Sequence, residues 1–320
     1  MTPLEQLKMN NKEILETLKK VVRKPSIKLP SQLDIEIIQN DLTITIPFED
    51  TLKNMQTDSA AFESWAIIVK RWIENINRVI IKWDEHILDN EKLHYQRFLF
   101  RAKRFSEVFS WVNIHKTNED CFRKLKTDNG RKIIVNTSKE KRSSGGGEKI
   151  EKELNEYKEN ELEELILSDI KTCEQFKRKF DLNFVDNQLP VGVFEGEISE
   201  ATRIFPGRKS AIDIWGINNE NEICLFELKT AKNKKVGALS EMLFYSFVVQ
   251  DIVQGVMKFD STTYEGLQKI QEAKNVNCYL LAPSTHPLID RKVFSLLNKS
   301  TSKIEFGNVK INDDLTFSIL

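Results

Sequence analysis

The stretch Ala211–Thr230, "AIDIWGINNENEICLFELKT", sets three charged residues among apolar residues that are typical of a buried sheet. Its polar centre, "NNENE" at 218–222, lies between two apolar runs, and this pattern predicts an antiparallel hairpin. In a hairpin folded about the middle of that turn, Asp213 faces Glu227 on the second strand, with Cβ atoms about 4.5–5.5 Å apart. Lys229 points to the same face, because it lies two residues beyond Glu227. The hairpin therefore gathers two carboxylates and one ammonium on one face.

Two ionised carboxylates at this separation repel each other by about 3 kcal/mol at an effective dielectric constant near 20. Lys229 offsets part of this repulsion, and a divalent cation would neutralise the rest. Mg²⁺ is commonly held by one or two carboxylates together with substrate phosphate oxygens. The pattern therefore predicts Asp213 and Glu227 as Mg²⁺ ligands at a site that hydrolyses phosphodiesters, with Lys229 orienting the nucleophile or stabilising developing charge. The alternative is a structural ion pair on a solvent-facing sheet, which contributes about 0–1 kcal/mol.

A basic loop, "KTAKNKK" at 229–235, follows the second strand. It adds Lys232, Lys234 and Lys235 at the carboxyl end of that strand, where α/β sheets commonly bind ligands. These lysines are expected to contact nucleic-acid phosphates.

The region 150–320 predicts the element order α-β-β-β-α-β, and hence an α/β fold with a mixed sheet and helices on both faces. An amphipathic helix near 150–170 precedes a short strand and the two hairpin strands, 211–217 and 223–229. A helix near 238–258 is apolar on nearly all sides and is expected to be buried. The strand "NVNCYLLAP", a further helix and one or two final strands complete the pattern.

These residues resemble the PD-(D/E)XK nuclease superfamily, the fold of many restriction endonucleases, resolvases and repair nucleases. Asp213 resembles the aspartate of its motif, and "ELK" at 227–229 resembles its (D/E)XK, while Ile212 stands where the name implies proline. The resemblance covers about 150–320 and implies a restriction-endonuclease-like core. It implies that the two acids ligate Mg²⁺, for which Mn²⁺ would substitute, and that the lysine serves the attacking water.

Many members of the superfamily carry a further metal-binding acid on the first core helix. Here "ELEELI" offers Glu161, Glu163 and Glu164, of which Glu161 and Glu163 flank the apolar stripe, and Glu163 is the favoured ligand. The alternative is that all three are solvated. The resemblance also points to polar residues on the helix after the lysine strand or just before the first strand, and the candidates are Ser240, Glu241, Tyr245 and Gln188.

The region 1–140 predicts a mainly helical domain with a substrate-binding or regulatory role, and the polar, glycine-rich stretch 141–149 predicts a flexible linker. Within 1–140, the stretch "LTITIPF" predicts a strand, and long helices are expected over 60–83 and 94–112. On the second of these helices, an apolar stripe adjoins basic residues that could follow a phosphate backbone. The alternative is a core stripe with solvated basic residues. The basic residues are Arg97, Arg101 and Arg104.

The net charge of zero conceals an asymmetry between the two halves. Through Arg142 there are 26 basic and 20 acidic residues, against 22 and 28 in the remainder. A basic half suits a polyanion such as DNA, although a solvated surface explains it equally. No apolar run approaches the roughly 18 residues of a membrane span, and the opening residues are too polar for a signal peptide, so a cytoplasmic protein without membrane contact is expected.

The four cysteines include no CxxC pair and the four histidines are scattered, so neither a zinc ribbon, a disulfide framework nor a histidine-built metal site is expected. The sequence therefore predicts a Mg²⁺-dependent endodeoxyribonuclease of restriction, defence or repair type, which could act as a homodimer. The alternative is a catalytically inactive nucleic-acid-binding or protein-interaction module on a nuclease-like fold.

Overall fold

The computed structural model describes residues 8–84, 92–128, 130–137, 153–207, 210–261 and 265–320. The predicted linker, 141–149, lies outside these residues. Within the described part of the chain, no helix is both long and apolar enough to cross a bilayer.

The described strands, numbered in chain order, are β1 (Lys8–Met9), β2 (Asp34–Ile38), β3 (Asp41–Ile46), β4 (Arg78–Trp83), β5 (Val112–Ile114), β6 (Ile133–Val135), β7 (Leu182–Pro190), β8 (Val193–Glu195), β9 (Ala211–Asn218), β10 (Ile223–Leu228), β11 (Met257–Phe259), β12 (Val276–Ala282), β13 (Ile304–Ile311) and β14 (Phe317–Ile319). The α-helices are α1 (Asn11–Val22), α2 (Phe48–Thr51), α3 (Phe62–Trp72), α4 (Leu93–Val108), α5 (Glu159–Ser168), α6 (Ile170–Lys179), α7 (Gly237–Val253), α8 (Glu265–Gln271) and α9 (Arg291–Asn298).

The N-terminal half contains, beside its helices, a five-stranded sheet in the order β1-β2-β3-β4-β5, of which the prediction of a mainly helical domain included one strand. The helix predicted over 60–83 ends at Trp72, and the last quarter of that range is the strand β4. Between the two elements, Asn75 has a φ of 65°, a left-handed conformation that a right-handed helix does not contain. The strand then includes the β-branched run Val79–Ile81, which favours extended backbone. In this segment the preference of β-branched residues for extended backbone therefore outweighed the helical spacing of the apolar positions.

The C-terminal half contains a six-stranded mixed sheet in the order β14-β13-β12-β10-β9-β7, which confirms the α/β class. Strands β7, β9 and β10 pair antiparallel. The chain then crosses the sheet through α7 and returns as β12, parallel to β10, and β13 continues in the same direction. The order α-β-β-β-α-β is present, with β8, β11 and α8 as additional elements.

Helices cover both faces of this sheet. On one face, the helices α5 and α6 contribute Leu162, Ile166 and Phe176 to a core around Phe226. The first helix was predicted to be continuous to residue 170, but Asp169 ends α5 and caps α6 by accepting the Thr172 N–H at 2.9 Å. On the other face lies α7, which is buried along nearly its whole length, as its apolar composition predicted.

The two halves share one hydrophobic core, which runs from α1 to β13. Polar contacts also join them: Arg71 forms an ion pair with Asp290 at 2.7 Å, and the Trp72 indole N–H donates to Leu288 O at 2.8 Å. Strand β6 of the N-terminal half lies between β8 and β11 in a small third sheet. The division into domains 1–140 and 150–320 stays a prediction.

Phe176 provides a test of the core beneath the hairpin, because its ring contacts those of Phe180, Phe226 and Phe317 at centroid distances of 4.7–5.0 Å. Phe176→Ala is expected to lower the free energy of unfolding by about 3–5 kcal/mol, since it leaves a cavity against the hairpin. Ile170→Ala, at an 83% exposed position on the same helix, is the control and should change it by less than about 0.5 kcal/mol. Equal destabilisation of both variants in urea denaturation would contradict this packing.

Candidate metal and nucleic-acid site

The hairpin of β9 and β10 has the predicted register. Its cross-strand pairs include Phe226 with Ile214 and Ile223 with Ile217, so continuing the register by one position sets Asp213 opposite Glu227. The turn is held by the Asn218 side chain, which accepts two backbone N–H groups of residues 220 and 222. Asparagine side chains commonly stabilise turns in this way, so the local sequence fixes which residues face each other.

Asp213 lies where regular pairing between the two strands ends. Its Oδ2 accepts the backbone N–H of Leu228 at 3.0 Å, so this N–H of β10 is paired by a side chain. Asp213 keeps some solvent exposure, but enough protein surrounds its carboxylate to raise its pKa to about 7, mainly by desolvation. Lys229 and the Leu228 N–H oppose this rise. Asp213 therefore stands at the rim of the site and holds a proton near neutral pH.

Lys229 is the cation that forms ion pairs with the acids of the buried cluster. Its Nζ forms an ion pair with Glu227 Oε1 and lies 3.1 Å from Glu241 Oε2 and 3.9 Å from Glu159 Oε1. Burial disfavours its charged form, but these carboxylates outweigh the burial, and the pKa of Lys229 is raised well above its usual value. The lysine is therefore an ammonium ion that lies between Glu227 and Glu241, with Glu159 at a longer distance.

If both were ionised, Glu227 and Glu241 would carry more negative charge than Lys229 alone can balance. Desolvation and then the neighbouring Glu241 raise the pKa of Glu227 well above its usual value. Burial also opposes the ionisation of Glu241, but Lys229 and several hydrogen bonds lower its pKa below the usual value. Glu227 Oε2 is buried without a hydrogen-bond donor from the described residues. The carboxylates of Glu227 and Glu241 can therefore accept either a proton or a cation in its place.

Glu241 was a candidate from the sequence, and its further partners are Tyr245 and Gln56. The Tyr245 hydroxyl donates to Glu241 Oε1 at 3.2 Å, and the Gln56 amide donates to the same oxygen at 2.5 Å. Gln56 lies 185 residues away in the chain, and no local pattern identified it. Ser240, another candidate, instead contacts Glu63 of the N-terminal half.

Glu163 is the buried one of the three candidate glutamates on α5, whereas Glu164 is exposed and Glu161 accepts the Lys158 N–H at the start of the helix. The Glu163 carboxylate accepts hydrogen bonds from Asn187 Nδ2 at 2.9 Å and from Gln188 Nε2 at 2.7 Å. Its negative charge also contributes to the raised pKa of Asp213, so it faces the same site. Its role as a metal ligand stays a prediction.

The donor set of this cluster fits a hard divalent cation in kind, because it consists of carboxylate oxygens, and two of them, Glu227 Oε2 and Glu241 Oε2, lack a hydrogen-bond donor among the described residues. Within the described ranges, however, no three Asp, Glu, His or Cys side chains converge closely enough to hold an ion between them. A site with one or two carboxylates, completed by water and substrate oxygens, suits Mg²⁺. The expected ligands Asp213 and Glu227 could supply such a site.

The lysines of the loop after β10 are exposed at the rim of the cluster. Lys232, Lys234 and Lys235 all face solvent. A narrow crevice of about 10 Å³ opens here on Lys229 and is lined by Lys235 and His286 among other residues. The basic side chains at this end of the sheet are therefore open to solvent.

The arginines of α4 do not form the predicted row along a phosphate backbone, and that prediction is wrong. Arg101 is buried in an ion pair with Glu63, and burial lowers the pKa of Arg97 to about 10. Arg104, mostly buried, pairs with Asp251 at 2.8 Å and with a neighbouring acid on its own helix. The alternative was a core stripe with solvated basic residues. The stripe does belong to the core, but the arginines are paired inside the protein rather than solvated.

Comparison of the chain with known family models, with curated proteins and with solved structures gives no match.

Asp213 gives a pH-dependent prediction. Its pKa is raised in the folded state, so the stability contributed by its bound proton is fully present below about pH 4 and is lost as the pH rises through about 7. Without divalent ions, Asp213→Asn should therefore stabilise the protein by about 1–3 kcal/mol at pH 8 and by little at pH 4.5. Thermal unfolding at the two pH values measures this difference.

The control for this experiment is Asp260→Asn, at an exposed aspartate directly after β11. It should change stability by less than about 0.5 kcal/mol at both pH values. An Asp213→Asn effect that is the same at pH 4.5 and pH 8 would show that burial does not retain the proton.

Proposed function

We propose that this chain is a divalent-metal-dependent nuclease that hydrolyses phosphodiester bonds within DNA. The observation that carries the proposal is the register of the β9–β10 hairpin, which sets Asp213 opposite Glu227 beside the buried ammonium of Lys229. This is the arrangement implied by the resemblance to the PD-(D/E)XK superfamily. The proposal includes a restriction-endonuclease-like core and a role in defence or repair in the cytoplasm.

Asp213 and Glu227, with Glu163 behind them, would hold Mg²⁺ or Mn²⁺. When bound, such an ion polarises a phosphoryl oxygen and lowers the pKa of a water molecule. Glu227 would give up its proton on binding, since only the ionised carboxylate is a good ligand. Lys229 keeps its charge in this environment and is placed to donate a hydrogen bond to the attacking water or to stabilise the negative charge that develops on phosphate.

The proposed DNA path follows the exposed lysines after β10. Lys232, Lys234 and Lys235 would pair with phosphates on either side of the bond that is cut. Arg97, Arg101 and Arg104 are excluded from this path because they are paired inside the protein. A second copy of the chain would supply the second cut in a duplex.

A second candidate function is a nucleic-acid-binding or protein-interaction module that does not cut. It is favoured by the finding that the described part of the chain has no three acidic, histidine or cysteine side chains grouped around one point. In that case a proton on Glu227, rather than a metal ion, would permanently balance the site. Calorimetric titration with Mg²⁺ and Mn²⁺ separates the two, because the module would release no binding heat.

The nuclease proposal is tested by incubating supercoiled and linear DNA with the protein and Mg²⁺ or Mn²⁺. Lys229→Met and Glu227→Gln should each lower the cleavage rate by at least about 100-fold, because each removes a charge that acts on the reacting phosphate. Glu220→Gln, at the exposed turn of the same hairpin, should cleave at the wild-type rate. Equal cleavage by all four proteins would exclude this site as the origin of the activity.

The lysine loop is tested by the salt dependence of DNA binding in the absence of divalent ions. Replacing Lys232, Lys234 and Lys235 by alanine should reduce the slope of log K against log salt concentration by up to about 3, or about one for every lysine that neutralises a phosphate. The matched control removes three exposed lysines at the opposite end of the sheet, Lys274, Lys299 and Lys303. A similar change of slope in both variants would place the DNA elsewhere.

A further inference from the structure

The N-terminal half reaches the candidate site through Gln56. Its Nε2 donates a hydrogen bond to Glu241 Oε1 at 2.5 Å, and the Tyr245 hydroxyl donates to the same oxygen at 3.2 Å. With Oε1 held by two donors, Glu241 directs Oε2 towards Lys229 Nζ, 3.1 Å away. The orientation of Glu241 therefore depends on one donor from its own helix and one from the other half of the protein.

The backbone of Gln56 is placed independently of this hydrogen bond. A Cβ on Gly237, at the start of α7, would lie 2.9 Å from Gln56 O and 3.1 Å from Gln56 C, so the absence of a side chain allows the two backbones to approach. The Asn54 side chain accepts the Gln56 N–H at 3.2 Å and fixes the turn that precedes it. The amide of Gln56 is thus brought to Glu241 by contacts that a change of its side chain leaves intact.

A buried polar network fixes the two halves at the adjacent part of the interface. Ser240 Oγ donates to Glu63 Oε2 at 2.9 Å and lies 2.8 Å from Ser64 Oγ, while Arg101 forms an ion pair with Glu63. All four side chains are buried. A shift of α3 along α7 would leave a buried charge without its partner, at a cost of several kcal/mol. Gln56 therefore stays in register with Glu241.

We propose that Gln56 is a positioning residue which, by orienting Glu241, holds the ammonium of Lys229 in the site and couples the N-terminal half to its chemistry. Three carboxylates surround Lys229 Nζ, so the direction in which the ammonium points depends on how each of them is held. The kinetic part of this inference rests on the proposed nuclease function. The part that concerns the placement of Lys229 does not.

The first experiment needs no enzymatic activity. Gln56→Met keeps the length of the side chain but removes its donor, and because residue 56 is exposed the core stays intact. The rate at which acetic anhydride modifies Lys229, followed by mass spectrometry, should rise about tenfold, the scale set by one hydrogen bond to a charged group. Gln254→Met, at an exposed glutamine at the other end of α7, should leave this rate unchanged. An unchanged rate in Gln56→Met would overturn the proposal.

A second variant reaches the same contact through the backbone. Gly237→Ala should displace Gln56 without altering its side chain, because the new Cβ would meet the backbone of residue 56. It should raise the modification rate of Lys229 as Gln56→Met does. A rise with Gln56→Met and none with Gly237→Ala in a folded protein would overturn the role of this backbone contact.

The second experiment measures cleavage by the same variants. Gln56→Met should lower kcat about tenfold and leave KM within about twofold, because Lys229 acts on the reacting phosphate and not on distant substrate contacts. Unchanged kcat together with faster modification of Lys229 would overturn the coupling to catalysis. A different outcome is that the wild-type protein cleaves no nucleic acid, while Gln56→Met and Gly237→Ala, but not Gln254→Met, accelerate the modification of Lys229. In that case the proposed nuclease function fails and the positioning of Lys229 by Gln56 stands.

Discussion

The candidate site depends on the balance of charge at one end of a buried hairpin. Asp213, Glu227, Glu241 and Glu163 interact electrostatically around one ammonium, that of Lys229. Taking an uncompensated ion out of water costs several kcal/mol, so such a cluster persists only if protons or amide donors satisfy the remaining oxygens. Amide side chains do so for Glu163, and the raised pKa of Glu227 favours a bound proton there. The excess of acid over base leaves more potential negative charge at this end of the sheet than the ammonium of Lys229 balances.

The rest of the fold keeps these groups at fixed separations. The strand register sets the spacing of Asp213 and Glu227, and the aromatic core under Phe226 and the buried helix α7 hold the strands from opposite faces. Because protein interiors are packed as densely as organic crystals, a strand enclosed in this way cannot shift without opening a void. The site is therefore built on rigid elements, and its exposed part is the lysine loop at the rim.

The sequence was sufficient for the features that local chemistry determines. The Asn-rich turn between two apolar runs specified the hairpin and its register, and the apolar composition of α7 specified a buried helix. Of the three candidate glutamates on α5, Glu161 and Glu163 flank the apolar stripe, and Glu163, the favoured one, is buried in the structure.

Features that depend on contacts between distant parts of the chain could not be predicted from local sequence patterns. The apolar spacing over 60–83 suited a helix, but the β-branched residues of its last part pair with β3 and β5 in a sheet that no single segment reveals. The arginines of α4 looked solvent-facing, because their acidic partners Glu63 and Asp251 lie far away in the chain. Gln56 belongs to the same class, since only folding brings it to Glu241.

Strand β6 has a consequence for how the chain can be divided. It comes from the N-terminal half, yet it is the central strand of the sheet formed with β8 and β11. A fragment that began at residue 150 would lack it, and the backbone of both neighbours would be left without its hydrogen-bonding partners. Unpaired strand edges of this kind recruit other chains. Truncation at the apparent boundary would thus convert an internal strand pairing into a tendency to aggregate.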